Sequence, residues 1–251
     1  MERTYRVGTR TSPLALRQVE EVLSSLREFY PDIKTEVAGI DTYGDRDKAT
    51  PISDIEGTDF FTREIDEALL RGEIDFAVHS AKDLPDRLMD GLVVAAFTEC
   101  LDPYDALVSK SGLTLDKLPE GARIGTSSLR RKAQLKEYRK DFEIVDIRGN
   151  IEERLRLLDN EPQAPEPDPD RRSGYLFGLD GIVIAACGLI RLGLSHRITQ
   201  RIPFEILKPH PLQGCLAIET RKDDRDAIKI LSVCIHTVGQ VSSFAKATED
   251  R

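Results

Sequence analysis

At 251 residues, 40% apolar and 32% charged, with a formal net charge of -8, the chain has the composition of a folded protein with enough length for two modest α/β domains or one large one. The acidic balance excludes a global basic field for nucleic acid, so anion binding must come from local arginine clusters. The opening Met1-Glu2-Arg3-Thr4-Tyr5-Arg6 lacks an apolar signal core, and no run approaches the roughly 18 apolar residues that span a membrane, so no membrane partner and a cytoplasmic location are expected. Cys100, Cys187, Cys215 and Cys234 lie far apart without a C-x-x-C pair, which argues against a structural zinc site or a disulfide framework and for buried free thiols.

In chain order, a short strand over Tyr5 to Thr9 leads into Arg10-Thr11-Ser12-Pro13. Ser12 as N-cap with Pro13 at the first helical position starts a helix. Leu16, Val19, Val22, Leu23, Leu26, Phe29 and Tyr30 form its apolar face, and Pro31 ends it. Arg10 is left at a strand-to-helix junction, where backbone N–H groups and a positive helix end suit a carboxylate or phosphate. A strand from Glu36 to Thr42 follows, then a polar stretch from Tyr43 to Asp59 whose length suggests a lid loop. Phe60 and Phe61 close it before a helix over Thr62 to Arg71 that Gly72 terminates.

The apolar run from Ile74 to Val78 empties into His79, Ser80, Lys82 and Asp83, and Pro85 prevents an immediate helix. An Asp held beside a Lys at a strand's carboxyl end is a candidate proton handler, because that end is where open α/β sheets bind ligands. A strand over Gly91 to Thr98 precedes Asp102-Pro103-Tyr104-Asp105, read as a crossing into a second lobe with its boundary near Leu101. A strand over Ala106 to Ser109 then begins a fresh βαβ pattern.

The second candidate site is Arg123-Ile124-Gly125-Thr126-Ser127-Ser128-Leu129-Arg130-Arg131, a strand running through Gly into hydroxyl residues that cap a helix continuing through Lys132 to Arg139. Thr126, Ser127, Ser128, the first-turn N–H groups, Arg130 and Arg131 together suit carboxylates, which Arg grips in bidentate fashion. A strand over Glu143 to Ile147 delivers Arg148-Gly149-Asn150, with Arg154 one turn into the next helix. Prolines at 162, 165, 167 and 169 alternate with acids in a segment, 161–178, expected to be a disordered surface insertion. The pattern resumes with Asp180 to Ala186 and then Arg191, a further cation for the cleft. Leu207 to Glu219, with Gln213-Gly214-Cys215, returns to the first lobe, and a last helix covers about Asp224 to Val233. The tail from Gly239 to Arg251 shows no organising pattern.

Arg10-Thr11-Ser12-Pro13-Leu14-Ala15-Leu16, the His79-to-Pro85 stretch, Gly125-Thr126-Ser127-Ser128-Leu129-Arg130-Arg131, Arg148-Gly149-Asn150 and Gln213-Gly214 together resemble the porphobilinogen deaminase (hydroxymethylbilane synthase) family, in that family's order, over residues 4 to about 235. The resemblance implies a two-lobed, type II periplasmic-binding-protein-like fold with hinge crossovers. One domain would comprise residues 1–100 and 200–238, and the other residues 101–199. It also implies a transferase of tetrapyrrole biosynthesis that condenses four porphobilinogens head to tail and releases ammonia. Asp83 matches the catalytic carboxylate. Arg10, Ser12, Lys82, Thr126, Ser127, Ser128, Arg130, Arg131, Arg148, Gly149, Arg154 and Arg191 would hold the acetate and propionate groups of substrate and dipyrromethane cofactor, and Phe61 belongs to the active-site loop. No metal is expected.

Three departures accompany the resemblance. The family's third, C-terminal domain, whose cysteine carries the dipyrromethane, is expected to be absent, and no cysteine here sits in the matching motif. A separate chain supplying that domain is one implied partner. Thr58-Asp59-Phe60-Phe61 stands where many members have a Lys-Gly-Leu-Phe type sequence, and the Pro-rich insertion replaces a short connection. A second reading of the same residues is a truncated or non-catalytic two-lobed protein that binds a carboxylate-rich small molecule.

Overall fold

The computed structural model describes residues 3–47, 58–160 and 178–234. Most of the expected lid loop, the Pro-rich segment up to residue 177 and the tail from residue 239 lie outside the described residues.

The first described strand, β1 (Thr4–Arg10), runs into α1 (Pro13–Phe29), whose N-cap Ser12 accepts a hydrogen bond from the backbone N–H of Ala15. Val19, Val22, Leu23 and Leu26 of α1 pack with Val7, Phe76, Val78 and Ile218 in one core cluster. Each fully buried side chain of this size contributes about 1.5–3 kcal/mol. Leu16 and Phe29, in the first and last turns, are instead exposed. Next come β2 (Lys34–Ile40), a helical turn α2 (Tyr43–Arg46), α3 (Arg63–Leu70), β3 (Phe76–Ser80) and β4 (Leu92–Phe97).

The chain then builds β5 (Asp105–Ser109), β6 (Arg123–Gly125), α4 (Leu129–Tyr138), β7 (Glu143–Val145), α5 (Ile151–Asp159), β8 (Gly181–Ala185), α6 (Ala186–Arg191) and β9 (Gln200–Ile202). It finishes with β10 (Leu216–Arg221) and α7 (Arg225–Leu231).

Two five-stranded sheets result, ordered β2-β1-β3-β10-β4 and β7-β6-β8-β5-β9. In the first, β1 is parallel to β2 and β3 while β10 is antiparallel to both β3 and β4. In the second, β6 is parallel to β7 and β8 while β5 is antiparallel to both β8 and β9. The two sheets therefore share one topology, and in each the antiparallel strand is the one that follows a crossing between units. One compact unit ends at Pro103 and resumes at His210, and the other covers Tyr104–Pro209.

Several sequence expectations change. Strand Gln200–Ile202 pairs with β5, so the return crossing lies at Pro209/His210 rather than at residue 200. Tyr43–Arg46, expected to be lid loop, forms a helical turn because Asp45 closes a capping box with Thr42. His79 and Ser80 belong to β3 rather than to the turn after it, while α4 starts at Leu129 directly after its N-cap Ser128, as the hydroxyl run predicts. Cys100 and Cys215 form a disulfide, whereas free thiols were expected. The pairing follows from the sheet, since Leu101 N–H donates to the Gly214 carbonyl and brings the two segments side by side. Cys187 and Cys234 are free and buried.

Candidate functional site

In the first unit β3 is buried along Phe76–His79 and ends at a short 3-10 turn over Ala81–Asp83, which Pro85 follows. This places Asp83 at the carboxyl end of a central strand, exposed, with no described donor on its carboxylate. Two anchors hold the turn. Gln18 of α1 donates to the Ser80 hydroxyl at 2.8 Å, and the Ala81 N–H donates to the Cys215 carbonyl at 3.0 Å. Lys82 Nζ donates to Gln213 Oε1 at 3.3 Å, while the amide nitrogen of the buried Gln213 donates to the Pro103 carbonyl at 2.7 Å. Gly214 has φ of 96°, and a Cβ there would lie 2.2 Å from the Leu101 carbonyl oxygen, so only glycine fits.

Arg10 is held elsewhere in the same unit. Its guanidinium bonds the Asp45 carboxylate and stacks over the Phe61 ring at 4.6 Å. Burial alone would push the Asp45 carboxyl up, but the hydrogen bonds and charge of Arg10, aided by Thr42, hold it below the usual range. Phe61 also meets Phe60 edge-on at 5.3 Å. Arg10, Phe61 and Asp45 are thus one contact group, whereas Ser12 spends its hydroxyl on the helix cap.

In the second unit β6 delivers Thr126 and Ser127, both buried, and Ser128 as the N-cap of α4. Ser127 donates to the Ile147 carbonyl, Thr126 Oγ1 is enclosed without a hydrogen-bond partner, and Ser128 makes no side-chain cap bond. Arg130 and Arg131 both grip Asp105 at the start of β5. Arg131 reaches Oδ1 at 2.6 and 3.0 Å, and Arg130 reaches Oδ2 at 2.7 Å. Burial of Asp105 raises its carboxyl, but the charges and hydrogen bonds of Arg131 and Arg130 outweigh that and hold it at about 2. The Arg131 side chain is 7% exposed and also donates to the Val183 carbonyl, while Arg130 keeps 25% exposure.

The α5 N-terminus is built similarly. Asn150 and Glu153 form a reciprocal capping box, and Gly149 precedes it at φ of 97°, where a Cβ would lie 2.5 Å from Glu153 Oε2. Arg154 Nε donates to the Gly149 carbonyl at 2.9 Å, which folds the side chain back over this N-terminus. Arg148 and Arg191 are half-buried, the latter in the last turn of α6. The second unit therefore concentrates hydroxyls, helix N-termini and half-buried arginines, the donor chemistry suited to acetate and propionate groups.

Three side-chain groupings escaped the sequence reading. Asp105 was taken as part of a crossing, and Asp45 as part of a loop. The third is a buried cluster of Asp66, His79 and Glu219, whose ligand-type atoms all lie within 4.8 Å of one another. A Glu ending the apolar run Leu216-Ala217-Ile218 was the available signal for it.

A family model described as "Porphobilinogen deaminase, dipyromethane cofactor binding domain" matches residues 5–229. The porphobilinogen deaminase of Natranaerobius thermophilus is 44% identical over 228 residues, covering 91% of this chain and 68% of the relative. That of Pelotomaculum thermopropionicum is 42% identical over 246 residues, covering 98% and 74%. Among solved structures, the methionine binding protein MetQ superposes with a TM-score of 0.50 at 15% identity, covering 98% of this chain and 94% of that one. A putative lipoprotein from Actinomyces odontolyticus does so with a TM-score of 0.50 at 16% identity, covering 98% and 96%. At that identity the likeness speaks for the fold alone, the two-lobed type II binding-protein architecture.

Proposed function

The chain belongs to the porphobilinogen deaminase family and is by that membership a hydroxymethylbilane synthase-type transferase of heme and porphyrin biosynthesis; on that premise we propose that Asp83 is its catalytic carboxylate. The observation that carries this is position. Asp83 is an exposed carboxylate at the end of a buried central strand, on a turn anchored from two sides. As ammonia leaves porphobilinogen, positive charge develops on the pyrrole nitrogen. A carboxylate held there stabilises that charge and accepts the proton that must later be lost.

Dipyrromethane is the family's cofactor, and the donor set of the second unit fits it: Ser128 has no cap bond to satisfy, Arg130 retains an exposed edge, and Gly149 opens the backbone at an α5 N-terminus. When bound, the cofactor supplies the pyrrole carbon from which the chain grows. Ser128, Arg130, Arg148, Arg154 and Arg191 would hold its carboxylates, with Thr126 and Ser127 beside them, and Arg10, Ser12 and Lys82 would offer polar contacts in the first unit. None of the four cysteines offers an accessible thiol. Cys100 and Cys215 are joined, Cys187 and Cys234 are buried, and burial pushes the Cys234 thiol up to about 11. A cysteine outside these 251 residues then carries the thioether. A cytoplasmic location accords with this chemistry, and no described helix is long and apolar enough to cross a membrane.

The test is incubation of the purified chain with porphobilinogen, oxidation of the product and measurement of uroporphyrin absorbance, with Asp83→Asn alongside. Turnover is expected to fall roughly 10²- to 10⁴-fold in the variant, with circular dichroism unchanged. Equal, measurable product from both proteins refutes the assignment.

A further inference from the structure

Asp66 of α3, His79 of β3 and Glu219 of β10 converge inside the first unit, at 0%, 5% and 0% exposure. Four of their polar atoms, Asp66 Oδ1, His79 Nε2 and both Glu219 carboxylate oxygens, are enclosed without a hydrogen-bond partner. His79 Nε2 stands 3.3 Å from Glu219 Oε2, and the remaining Asp66 oxygen accepts from the Thr62 hydroxyl at 3.0 Å. Three ionisable groups cannot be left fully charged and unbonded in such a place, because desolvation would cost several kcal/mol per ion.

Two protons resolve all four atoms at once. One on Asp66 Oδ1 makes a donor to one Glu219 oxygen, and one on His79 Nε2 makes a donor to the other. A divalent ion is the rival solution and fits less well. Asp66, His79 and Glu219 supply three ligands and, among the described residues, no fourth for a closed tetrahedron, whereas the two protons leave none of these four buried atoms unpaired.

We propose that Asp66, His79 and Glu219 form a proton-sharing triad in which Asp66 is protonated, and that the triad positions the turn bearing Asp83. The link is the strand pair itself. His79 lies opposite Ala217, Glu219 opposite Ala77, and Ser80 opposite Leu216, after which Ala81 N–H meets the Cys215 carbonyl and the chain reaches Lys82 and Asp83. His79 is thus a positioning residue, four positions before the carboxylate whose catalytic role rests on the reading above.

Burial pushes the Asp66 carboxyl up to about 7, with the Glu219 charge adding to the rise and His79 opposing it. Other ionisable groups on the packed elements are engaged elsewhere. On α3, Glu64 pairs with Arg46 and Glu67 with Arg71. On β1, Arg10 is bound to Asp45 and Arg6 to the Gly72 carbonyl. Strand β4 carries none between Leu92 and Phe97.

The experiment is NMR on the full chain with ¹³C-labelled aspartate and ¹⁵N-labelled backbone, read from pH 5.5 to 8.5, together with metal analysis. The Asp66 carboxyl is expected to give the shift of a protonated acid at pH 5.5 and of a carboxylate at pH 8.5. The amides of Lys82 and Asp83 should follow the same midpoint, and Asp66→Asn should remove it from them. Should Asp66→Asn not fold, Thr62→Val, which deletes the hydroxyl donor to Asp66, is expected to move the midpoint upward. An Asp66 ionised at pH 5.5, turn amides indifferent to its titration, an unmoved midpoint in Thr62→Val, or one divalent ion per chain would each overturn the proposal. None of these readouts uses turnover, so failure of the Asp83 assignment would be seen separately.

Discussion

The two units share a sheet topology yet treat a buried aspartate in opposite ways. In the second unit Asp105 sits at the start of the antiparallel strand and meets two guanidinium groups, so its charge is stabilised and its carboxyl is held at about 2. In the first unit Asp66 faces another carboxylate and a histidine, so burial wins and its carboxyl is pushed up to about 7. Depth alone does not decide the charge of a buried acid; the ratio of cations to anions around it does. One fold thereby carries a charged, paired cluster beside the proposed anion-binding residues and, on our proposal, a proton-dependent cluster behind the turn that bears Asp83.

The sharpest way to break this contrast is substitution of the two aspartates. Asp105→Asn leaves two arginines without their carboxylate and should cost roughly 3–5 kcal/mol in urea unfolding followed by circular dichroism. Asp66→Asn, which mimics the protonated acid, should cost far less below pH 6; equal losses at both sites would erase the distinction. The pH dependence of stability should likewise differ in sign. The Asp105 contribution is present above its unfolded value of 3.8 and is lost as pH falls through about 2. The Asp66 contribution is complete below 3.8 and is lost as pH rises from there through about 7, so melting temperature should decline across that window and level off above it, a decline that Asp66→Asn removes.

Within the second unit, Arg131→Lys should lower stability by about 1.5–3 kcal/mol, since a single ammonium cannot reproduce its two bonds to Asp105. Arg130→Lys should instead weaken porphobilinogen binding roughly tenfold in calorimetry, about 1.4 kcal/mol. A reversed pattern would show that the buried arginine, not the half-exposed one, faces the ligand. The smallest effect is expected from Asn150→Ala, which opens the α5 capping box at a cost of about 1 kcal/mol in the same unfolding assay.

Local signals made much of this molecule legible in its sequence. Ser12-Pro13 announced α1, and the run before His79 announced a buried central strand. The hydroxyls after Gly125 announced the start of α4, and the arginines recurring at strand ends do lie at the junctions where the sequence put them. What stayed hidden depends on partners distant in the chain. Asp105 stands beside Arg130 and Arg131 only because β5 inserts next to β8, and Asp66, His79 and Glu219 meet only because β10 inserts next to β3. Cys100 and Cys215 were misread for the same reason, as spacing along the chain carries no information about strands that become neighbours. Tyr43–Arg46 was lost to a different cause: a short helix held by one aspartate looks like any polar loop when propensity alone is weighed.

The place of β10 between β3 and β4 also sets an order of assembly. Residues 104–209 form a contiguous unit whose strands are all made before the chain returns, so this unit has every partner it needs once Pro209 is synthesised. The first unit does not. Its β3 and β4 wait with unpaired edges until Leu216–Arg221 arrives from more than a hundred residues downstream, and such non-local pairing is slow to form. The later-made half of the sequence thus completes the earlier-made half, and the turn that carries Asp83 acquires its neighbour at Cys215 only in that last act of folding.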